Sequence, residues 1–294
     1  MKKKLSVGDI VFYAADFLIM IAMMFLCIYP FYYVFIYSIS DPAAAQKGLT
    51  LIPKELTLSN YAQVFQLSGI SGALIVSVLR TIAGTALTII CCSFFAYLVT
   101  KENMYGRKII YRSVIVTMYF SSGLIPWYLT MKMYHLNNTF WVYIIPTAVS
   151  AYYIVLLKTF IEQLPPSLEE SAKLDGAGYF RIFFSIIFPL SKPIVATITV
   201  FAAVAQWNSW FDNYILVSSP NLKTLQLMLY DYLNQASAIA TMSNSERNQG
   251  VTVQITPEAV RMTITMVVTL PILFIYPLMQ KHFVKGIMLG AVKG

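Results

Sequence analysis

Six stretches of this chain contain no Asp, Glu, Lys or Arg, and each is 19 to 24 residues long. About 20 apolar residues, at ~1.5 Å rise per residue, cross the ~30 Å hydrocarbon core of a bilayer. Stretches this long and this uniformly apolar exclude the tilted strands of a membrane barrel. The sequence predicts an all-α membrane protein with six transmembrane helices in a single domain, residues 1–294. The helices are predicted at Phe17–Ser40, Thr81–Thr100, Ser113–Met131, Thr139–Leu157, Pro193–Phe211 and Met262–Gln280.

Charged residues make up only 12% of the chain and are unevenly distributed among the predicted loops. A soluble domain of this length needs a more charged surface. With the N-terminus in the cytoplasm, fourteen of the 21 Lys and Arg residues fall on the cytoplasmic side, as the positive-inside rule requires. An even number of helices makes both termini cytoplasmic, and this orientation explains the net charge of +8 without a nucleic-acid partner. The fourteen are Lys2, Lys3, Lys4, Lys101, Arg107, Lys108, Arg112, Lys158, Lys173, Arg181, Lys192, Lys281, Lys285 and Lys293.

Nucleophilic and metal-ligating side chains form no catalytic pattern. The three cysteines all lie in apolar stretches, which favours packing over a disulfide or a metal site. His135 and His282 are isolated, and no nucleophile motif or metal-ligand spacing surrounds either of them. We therefore expect no catalytic residue, no metal and no bound cofactor in this chain.

The predicted cytoplasmic connection from residue 160 to residue 192 contains a short, sharply bounded helix. Pro165 and Pro166 interrupt whatever precedes it, and Ser167 with Glu170 forms a capping box. Gly176 and Gly178 permit the left-handed turn that ends the helix. A second, amphipathic helix is expected at Tyr179–Phe188, near the lipid headgroups. A short, rigid helix between transmembrane helices can transmit force. A purely structural connection with no role in coupling is an equal alternative.

The predicted outer connection, residues 217–261, is polar. Its Leu222–Ala236 part has helical spacing, whereas Thr241–Gly250 is small and polar enough to be mobile. Thr256 is expected to cap the last helix, with Pro257 at its first position and Glu258 in its first turn. This connection either meets a partner or forms an ordered cap over the helix ends.

The inner connection resembles the coupling loop of bacterial ATP-binding-cassette (ABC) importers. That loop follows the pattern Glu-Ala-Ala, three residues, Gly, nine residues, Ile-x-Leu-Pro. This chain has Glu170-Ser171-Ala172, Gly176 and Ile186-Ile187-Phe188-Pro189 at the same spacing, departing only at Ser171 and Phe188. The resemblance covers nearly the whole chain, including Trp207–Asp212 and Phe283–Gly290. It is strongest to the carbohydrate-uptake branch, and within it to Gram-positive oligosaccharide permeases of the LplC or YtcP type.

This resemblance implies a type I ABC importer permease fold in the bacterial cytoplasmic membrane. The chain would form half of the translocation pathway for a carbohydrate, with a second permease (a hetero-dimer), a cytoplasmic ATPase dimer and an extracytoplasmic sugar-binding protein. The loop would dock on the ATPase, and the C-terminal tail would lie near it. The residues implied are Glu169, Glu170, Ser171, Ala172, Asp175, Gly176 and Ala177 in the loop and Lys285, Gly286 and Gly290 in the tail.

ATP hydrolysis is not expected in this chain, because the phosphate-binding pattern Gly-x-x-x-x-Gly-Lys-Ser/Thr does not occur in it. The chain is therefore not an enzyme alone, and ATP is bound by the partner ATPase. A secondary transporter or a channel is the alternative, but such transporters typically show inverted repeats and ion sites near the midplane. Neither pattern is evident here.

Candidate cargo contacts lie in the second and fifth predicted helices. Arg80 lies about seven residues into its helix, roughly 10 Å deep, and must face the bundle, water or a counter-charge such as Asp212. It either attracts a carboxylate of an acidic oligosaccharide or serves as a snorkelling or structural cation. Stacking faces and polar groups suited to sugars occur at Trp207, Asn208, Trp210, Asp212 and Asn213, although an aromatic belt also explains the tryptophans.

Overall fold

A computed structural model describes residues 6–45, 48, 51–241 and 256–287, with the backbone alone for 235–241, 257 and 276–287. Apart from one isolated bridge between Ser40 and Leu56, these residues contain no β-structure. Short 3₁₀ segments occur at Phe140–Tyr143 and Pro220–Leu222, and a π-helical turn at Phe183–Ile187. The α-helices are α1 (Val7–Ser38), α2 (Pro42–Ala45), α3 (Ser59–Gln66), α4 (Ile70–Thr100), α5 (Arg107–Val116), α6 (Leu124–Met133), α7 (Ala151–Ile161), α8 (Pro166–Leu174), α9 (Tyr179–Ile182), α10 (Phe188–Leu190), α11 (Lys192–Asn208), α12 (Phe211–Leu216), α13 (Leu225–Thr241) and α14 (Pro257–Ile287).

Three described helices are long and apolar enough to cross a membrane: α1, α4 and the Glu258–Ile275 part of α14. A fourth crossing is added if Tyr179–Leu190 and Lys192–Asn208, which meet at 83°, count as one span. Six continuous helices are thus not confirmed. The third and fourth apolar stretches are interrupted, between α5 and α6 and again before α7.

The interruptions have local causes that a count of charges does not detect. Gly123 precedes α6 with φ of 80°, a conformation that glycine adopts at low cost. Pro146 lies between the 3₁₀ turn and α7, and proline has no backbone N–H to donate to a helix.

The described residues divide into two compact units, the first drawn from Met1–Ser68 and Tyr232–Thr269. In this unit Asn60 Nδ2 donates to the carbonyls of Ser38 and Ser40 at 3.0 and 2.8 Å, fixing α3 to the end of α1. Tyr37 and Ala45 pack with Ala259 of α14. The predicted start of α14 is confirmed, because the Thr256 hydroxyl accepts from the Ala259 amide and Pro257 is the first helical residue.

The second unit comprises Gly69–Asp231 and Leu270–Gly294, and its central element is α4. One face of α4 carries small or polar residues about one turn apart, and it packs against α7 and α11. Small residues let helix backbones approach closely where lipid supplies no hydrophobic drive. The buried members of this face are Ala73, Ser77, Arg80, Gly84, Thr88, Cys92 and Ala96.

An apolar core closes the end of α4 that leads to Thr100. Ala96 and Tyr97 pack with Ile154 and Leu157 of α7 and with Phe183 in the π-helical turn. The helix predicted at Tyr179–Phe188 is present as a continuous helical segment, Tyr179–Leu190, in which the π-helical turn lies between α9 and α10. The wider turn places Phe183 against both Phe94 and Tyr97, with ring centroids 5.2 and 5.5 Å apart.

Candidate functional site

Residues at the two ends of helix α8 determine where it begins and ends. It begins at Pro166, with Pro165 as the N-cap residue, so the predicted capping box of Ser167 and Glu170 is wrong. Proline suits the first helical position because its φ is already helical and the missing N–H is not needed there. The helix therefore starts two residues earlier than the capping pattern indicated, at Pro166 and not at Leu168.

The C-terminal end of α8 has the geometry that the glycines predicted. Gly176 has φ of 77°, and its amide donates to the Lys173 carbonyl at 3.0 Å. The Ala177 amide donates to the Ala172 carbonyl at 2.9 Å, which completes a Schellman motif. Gly178 has φ of −74° instead and is the N-cap residue of α9, so of these two glycines only Gly176 uses the left-handed conformation.

The two adjacent carboxylates of α8 have different environments. Glu169 is 14% exposed and pairs with Lys101 at the end of α4 and with Lys173 one turn along α8, the latter at 3.0 Å. Tyr97 Oη donates to Glu169 Oε1 at 3.5 Å, and the Lys101 ammonium lies 3.9 Å from the centroid of the Tyr97 ring. Glu170 is exposed and forms no ion pair with any residue that the structure describes. Helical geometry separates neighbouring side chains by about 100°, so one carboxylate faces inward and the other outward.

Electrostatics keep Glu169 ionised. Burial raises the pKa of its carboxyl group, but hydrogen bonds and charges from Lys101 and Lys173 outweigh burial and hold the pKa below its ordinary value. Burial lowers the pKa of the Lys101 ammonium, and the Glu169 carboxylate opposes that effect. The bond to Glu169 raises the pKa of Lys173.

The remaining loop residues divide between the two faces of α8. Ala172 is buried in the core that holds Tyr97, whereas Ser171, Asp175 and Gly176 are exposed and Ala177 is half-buried. Leu174 is 90% exposed at the end of the helix.

A cavity of about 590 Å³ lies beside α8. It is bounded by α8, by the end of α4 and by the turn that follows it, and its lining carries charges of both signs. The charged residues that line it are Lys101, Glu102, Arg107, Glu162, Glu169, Glu170 and Lys173.

Arg80 lies in a second polar site, at the break between α11 and α12. Its side chain is 1% exposed and pairs with Asp212, with Nη2 to Oδ2 at 2.6 Å and Nη1 to Oδ1 at 3.2 Å. Nη1 also donates to the Ser209 carbonyl at 3.1 Å, and Nε to Gln206 Oε1 at 3.3 Å. The guanidinium lies 4.4 Å from the centroid of the Tyr143 ring. Asp212 is thus the counter-charge that the sequence suggested.

The other candidate cargo residues differ in their burial and in their contacts. Trp207 and Asn213 are buried, and Asn213 Nδ2 donates to the Tyr143 hydroxyl at 2.6 Å. Trp210 stacks on Tyr230 of α13 with ring centroids 4.2 Å apart. Asn208 is exposed, and its Oδ1 accepts from Gln226 Nε2 at 3.0 Å.

Of the three tail candidates, Gly290 lies outside the described residues. Lys285 and Gly286 belong to the last turns of α14, of which the structure describes the backbone.

Comparison with known proteins identifies the family. Residues 10–289 match the model of the family described as "Binding-protein-dependent transport system inner membrane component". The chain belongs to this family. It is therefore a permease subunit of an ABC importer and a protein of the bacterial cytoplasmic membrane.

Two relatives of this permease come from Bacillus subtilis strain 168. The polygalacturonan/rhamnogalacturonan transport system permease protein YtcP is 36% identical over 95% of this chain and 96% of its own length. Protein LplC is 36% identical over 91% of this chain and 90% of its own length. Both matches are nearly full-length, so the resemblance seen in the sequence is confirmed.

A solved structure shares the fold of this permease. A chain from the crystal structure of a bacterial ABC transporter involved in the import of the acidic polysaccharide alginate superimposes with a TM-score of 0.87 at 26% identity. The match covers 96% of this permease and all of that chain. The permease has the all-helical type I ABC importer fold.

Sequence reasoning missed several residues that build these two sites. Lys101 is the first charge after the second apolar stretch, and Gln206 is a polar residue inside the fifth. Both could have been recognised as unusual from the sequence. Tyr97 and Tyr143 could not have been recognised from the sequence, because tyrosine is common in apolar stretches. Only the fold brings them beside Lys101 and Arg80.

Proposed function

We propose that this permease subunit forms half of a translocation pathway for a carbohydrate and is driven by a separate ATPase that docks on α8. The observation that carries the proposal is the geometry of α8. This helix starts at Pro166 and ends at the Gly176 turn, is fastened inward through Glu169, and presents Glu170 and Leu174 outward. The residues proposed to couple α8 to the ATPase are Glu169, Glu170, Ser171, Ala172, Asp175, Gly176 and Ala177, of which Glu169 and Ala172 face the core. Lys285, Gly286 and Gly290 of the tail are proposed to act at the ATPase as well.

Support for a carbohydrate cargo comes from the relatives. YtcP is a permease of a polygalacturonan/rhamnogalacturonan transport system, and the transporter of similar structure imports an acidic polysaccharide. Because uronic-acid polymers occur in both names, we propose an oligosaccharide, and specifically an acidic one, as the cargo of this chain.

We propose six membrane crossings with both termini in the cytoplasm. The six charge-free stretches and the excess of Lys and Arg on one side support this arrangement. In it the third and fourth crossings are broken helices, which membranes tolerate where the broken backbone is covered by protein or lines a cavity. The coupling helix α8 then lies in the cytoplasm, between the fourth and fifth crossings.

The path for cargo is proposed to run along the break between α11 and α12. Its candidate residues are Arg80, Trp207, Asn208, Trp210, Asp212 and Asn213. Asn208 is exposed and can reach a sugar hydroxyl directly. Arg80 and Asp212 neutralise each other, so together they add no net charge beside the path.

The assembly we propose contains a second permease, an ATPase dimer and an extracytoplasmic sugar-binding protein. The test is to tag this chain, extract it gently from its native membrane and identify what co-purifies by mass spectrometry. A cassette ATPase and a second permease are expected. The chain alone, or as a homo-oligomer, under several mild conditions would refute the proposal.

The cargo class needs its own measurement. The binding protein encoded with the co-purified subunits is titrated with trigalacturonate and with maltotriose, an acidic and a neutral trisaccharide. Binding of trigalacturonate supports the acidic cargo, and binding of maltotriose alone contradicts it. Binding of neither sugar contradicts a carbohydrate cargo of this size.

A further inference from the structure

Of the two adjacent glutamates of α8, Glu169 alone is tied to another helix. Lys101, the residue that follows α4, donates to Glu169 Oε2, and Tyr97 of α4 donates to Oε1 at 3.5 Å. Lys173 donates to Glu169 from within α8 and so fixes the carboxylate without joining two elements. The Lys101–Glu169 pair is therefore a direct polar link between α8 and α4.

This link lies in a protected position. The side chains of Lys101 and Glu169 are 13% and 14% exposed, whereas Glu162, the residue that follows α7 and pairs with Lys158 of that helix, is 47% exposed. Water and salt weaken exposed ion pairs, but they screen a buried pair much less. Removing one partner of a buried pair also leaves the other charge uncompensated.

The other contact between α8 and the core is apolar. Ala172 packs into the cluster that contains Tyr97, Ile161 and Phe183. Apolar contacts resist separation, but they are non-directional and oppose sliding only weakly. An ion pair with hydrogen-bond geometry is directional, so it resists sliding as well.

Helix α4 connects this link to the second polar site. It runs without a break from Ile70 to Thr100, and Arg80 near its other end is bound to Asp212 and to the Ser209 carbonyl. Arg80 and Lys101 are 21 positions apart, which corresponds to roughly 30 Å at ~1.5 Å per residue. A displacement applied to α4 at Lys101 is therefore delivered to the break between α11 and α12.

We infer that Lys101 and Glu169 are positioning residues that transmit the movement of α8 to α4, while Glu170 serves the contact with the ATPase. The inference rests on the proposed function, because α8 must be the helix that the ATPase moves. It assigns the two neighbouring carboxylates separate tasks: docking on the outer face and transmission on the inner face.

The test uses the complete assembly, reconstituted in proteoliposomes with its binding protein and with trigalacturonate or maltotriose as cargo. ATP hydrolysis and cargo uptake are measured together for wild type, Glu169→Gln and Lys101→Gln. Both variants should assemble and hydrolyse ATP but lose cargo transported per ATP by about fivefold or more, the usual scale of coupling between sites. A Lys101→Arg variant, which retains the charge, should recover most of that ratio.

Two control variants break ion pairs without cutting the link. Glu162→Gln removes a pair at the end of α7, and Lys173→Gln removes the partner of Glu169 within α8. Both should keep the wild-type ratio of cargo to ATP. Glu170→Gln should differ from Glu169→Gln by weakening the association with the ATPase.

Each remaining outcome overturns the inference. An unchanged ratio in both Glu169→Gln and Lys101→Gln would show that α8 is coupled by its apolar contacts. Loss of assembly in both would show that the pair holds the fold together and does not transmit movement. An equal loss of cargo transported per ATP in the Glu162→Gln control would show that the effect is not specific to the Lys101–Glu169 pair. A wild-type chain that transports neither sugar would instead count against the proposed function.

Discussion

Arg80 shows how one side chain can be charged and fully buried in an apolar helix. Its donors are directed to Asp212, to the Ser209 carbonyl and to Gln206. Gln206 in turn donates to Thr147 Oγ1 at 2.7 Å. The charge is thus compensated inside the protein, and the same network holds the carbonyl left open where α11 ends.

Substitution of Arg80 should be costly because it leaves the Asp212 carboxylate unpaired. We expect Arg80→Gln to destabilise the subunit by about 3 to 5 kcal/mol, and Asp212→Asn by a similar amount. The double variant should lose less than the sum, with a coupling energy of about 1 to 3 kcal/mol. Thermal unfolding of the purified assembly in detergent measures all four proteins.

An exposed ion pair provides the control for the double-mutant cycle of Arg80 and Asp212. Arg261 and Glu258 pair at 2.7 Å one turn apart in α14 and are both partly exposed. Arg261→Gln should cost no more than about 1 kcal/mol. Additive costs for Arg80→Gln and Asp212→Asn would show that the two residues are not energetically coupled.

Gly84 controls the position of Gln206. A Cβ atom at Gly84 would lie 2.5 Å from Gln206 Nε2 and 2.7 Å from its Cδ. We expect Gly84→Ala to displace the Gln206 amide from Arg80 and Thr147, at a cost of about 1 to 3 kcal/mol in thermal unfolding.

Gly72 is a matched control on the same helix. A Cβ atom there meets nothing within 4 Å, so Gly72→Ala should stabilise α4 by up to about 1 kcal/mol through helix propensity. Equal effects of the two alanine substitutions would contradict a steric role for Gly84.

At the scale of elements, the end of α8 depends on one backbone conformation. Gly176 has φ of 77°, whereas Gly178 is in the region open to all residues, and a Cβ atom meets nothing within 4 Å at either position. Gly176→Ala should cost about 1 to 2 kcal/mol, because an L-residue in the left-handed conformation is strained. Gly178→Ala should cost little.

Hydrogen exchange of the α8 amides in the purified assembly tests this difference. A local loss of 1 to 2 kcal/mol corresponds to exchange about 5 to 30 times faster. Similar exchange rates in Gly176→Ala and Gly178→Ala would contradict the role given to the left-handed turn.

Features encoded locally were predicted well, and features set by distant contacts were not. The end of α8 at Gly176 and the start of α14 at Thr256 follow from single residues, and both are confirmed. The capping box at Ser167 failed because Pro166 is a stronger start signal one residue earlier. The π-helical turn at Phe183–Ile187 reflects packing on α4, which no local pattern encodes.

At the scale of the whole molecule, the arrangement in the membrane can be tested with single cysteines. The native Cys27, Cys91 and Cys92 are replaced, and one cysteine is introduced at Leu174 in one variant and at Ser218 in another, both exposed positions. An impermeant maleimide should label position 174 only in inverted vesicles and position 218 only in intact cells stripped of their wall. Labelling of both positions from one side would contradict the proposed topology.

The Arg80–Asp212 pair also has a consequence for biosynthesis. The two residues are 132 positions apart, so a ribosome adding about 5 to 20 residues per second completes Asp212 roughly 7 to 26 s after Arg80. During that interval Arg80 lacks its counter-charge, and an unpaired arginine in a membrane helix costs up to about 2.5 to 3.5 kcal/mol, the value at the bilayer centre. The charge of Arg80 can therefore be neutralised by this pair only after α12 has been synthesised.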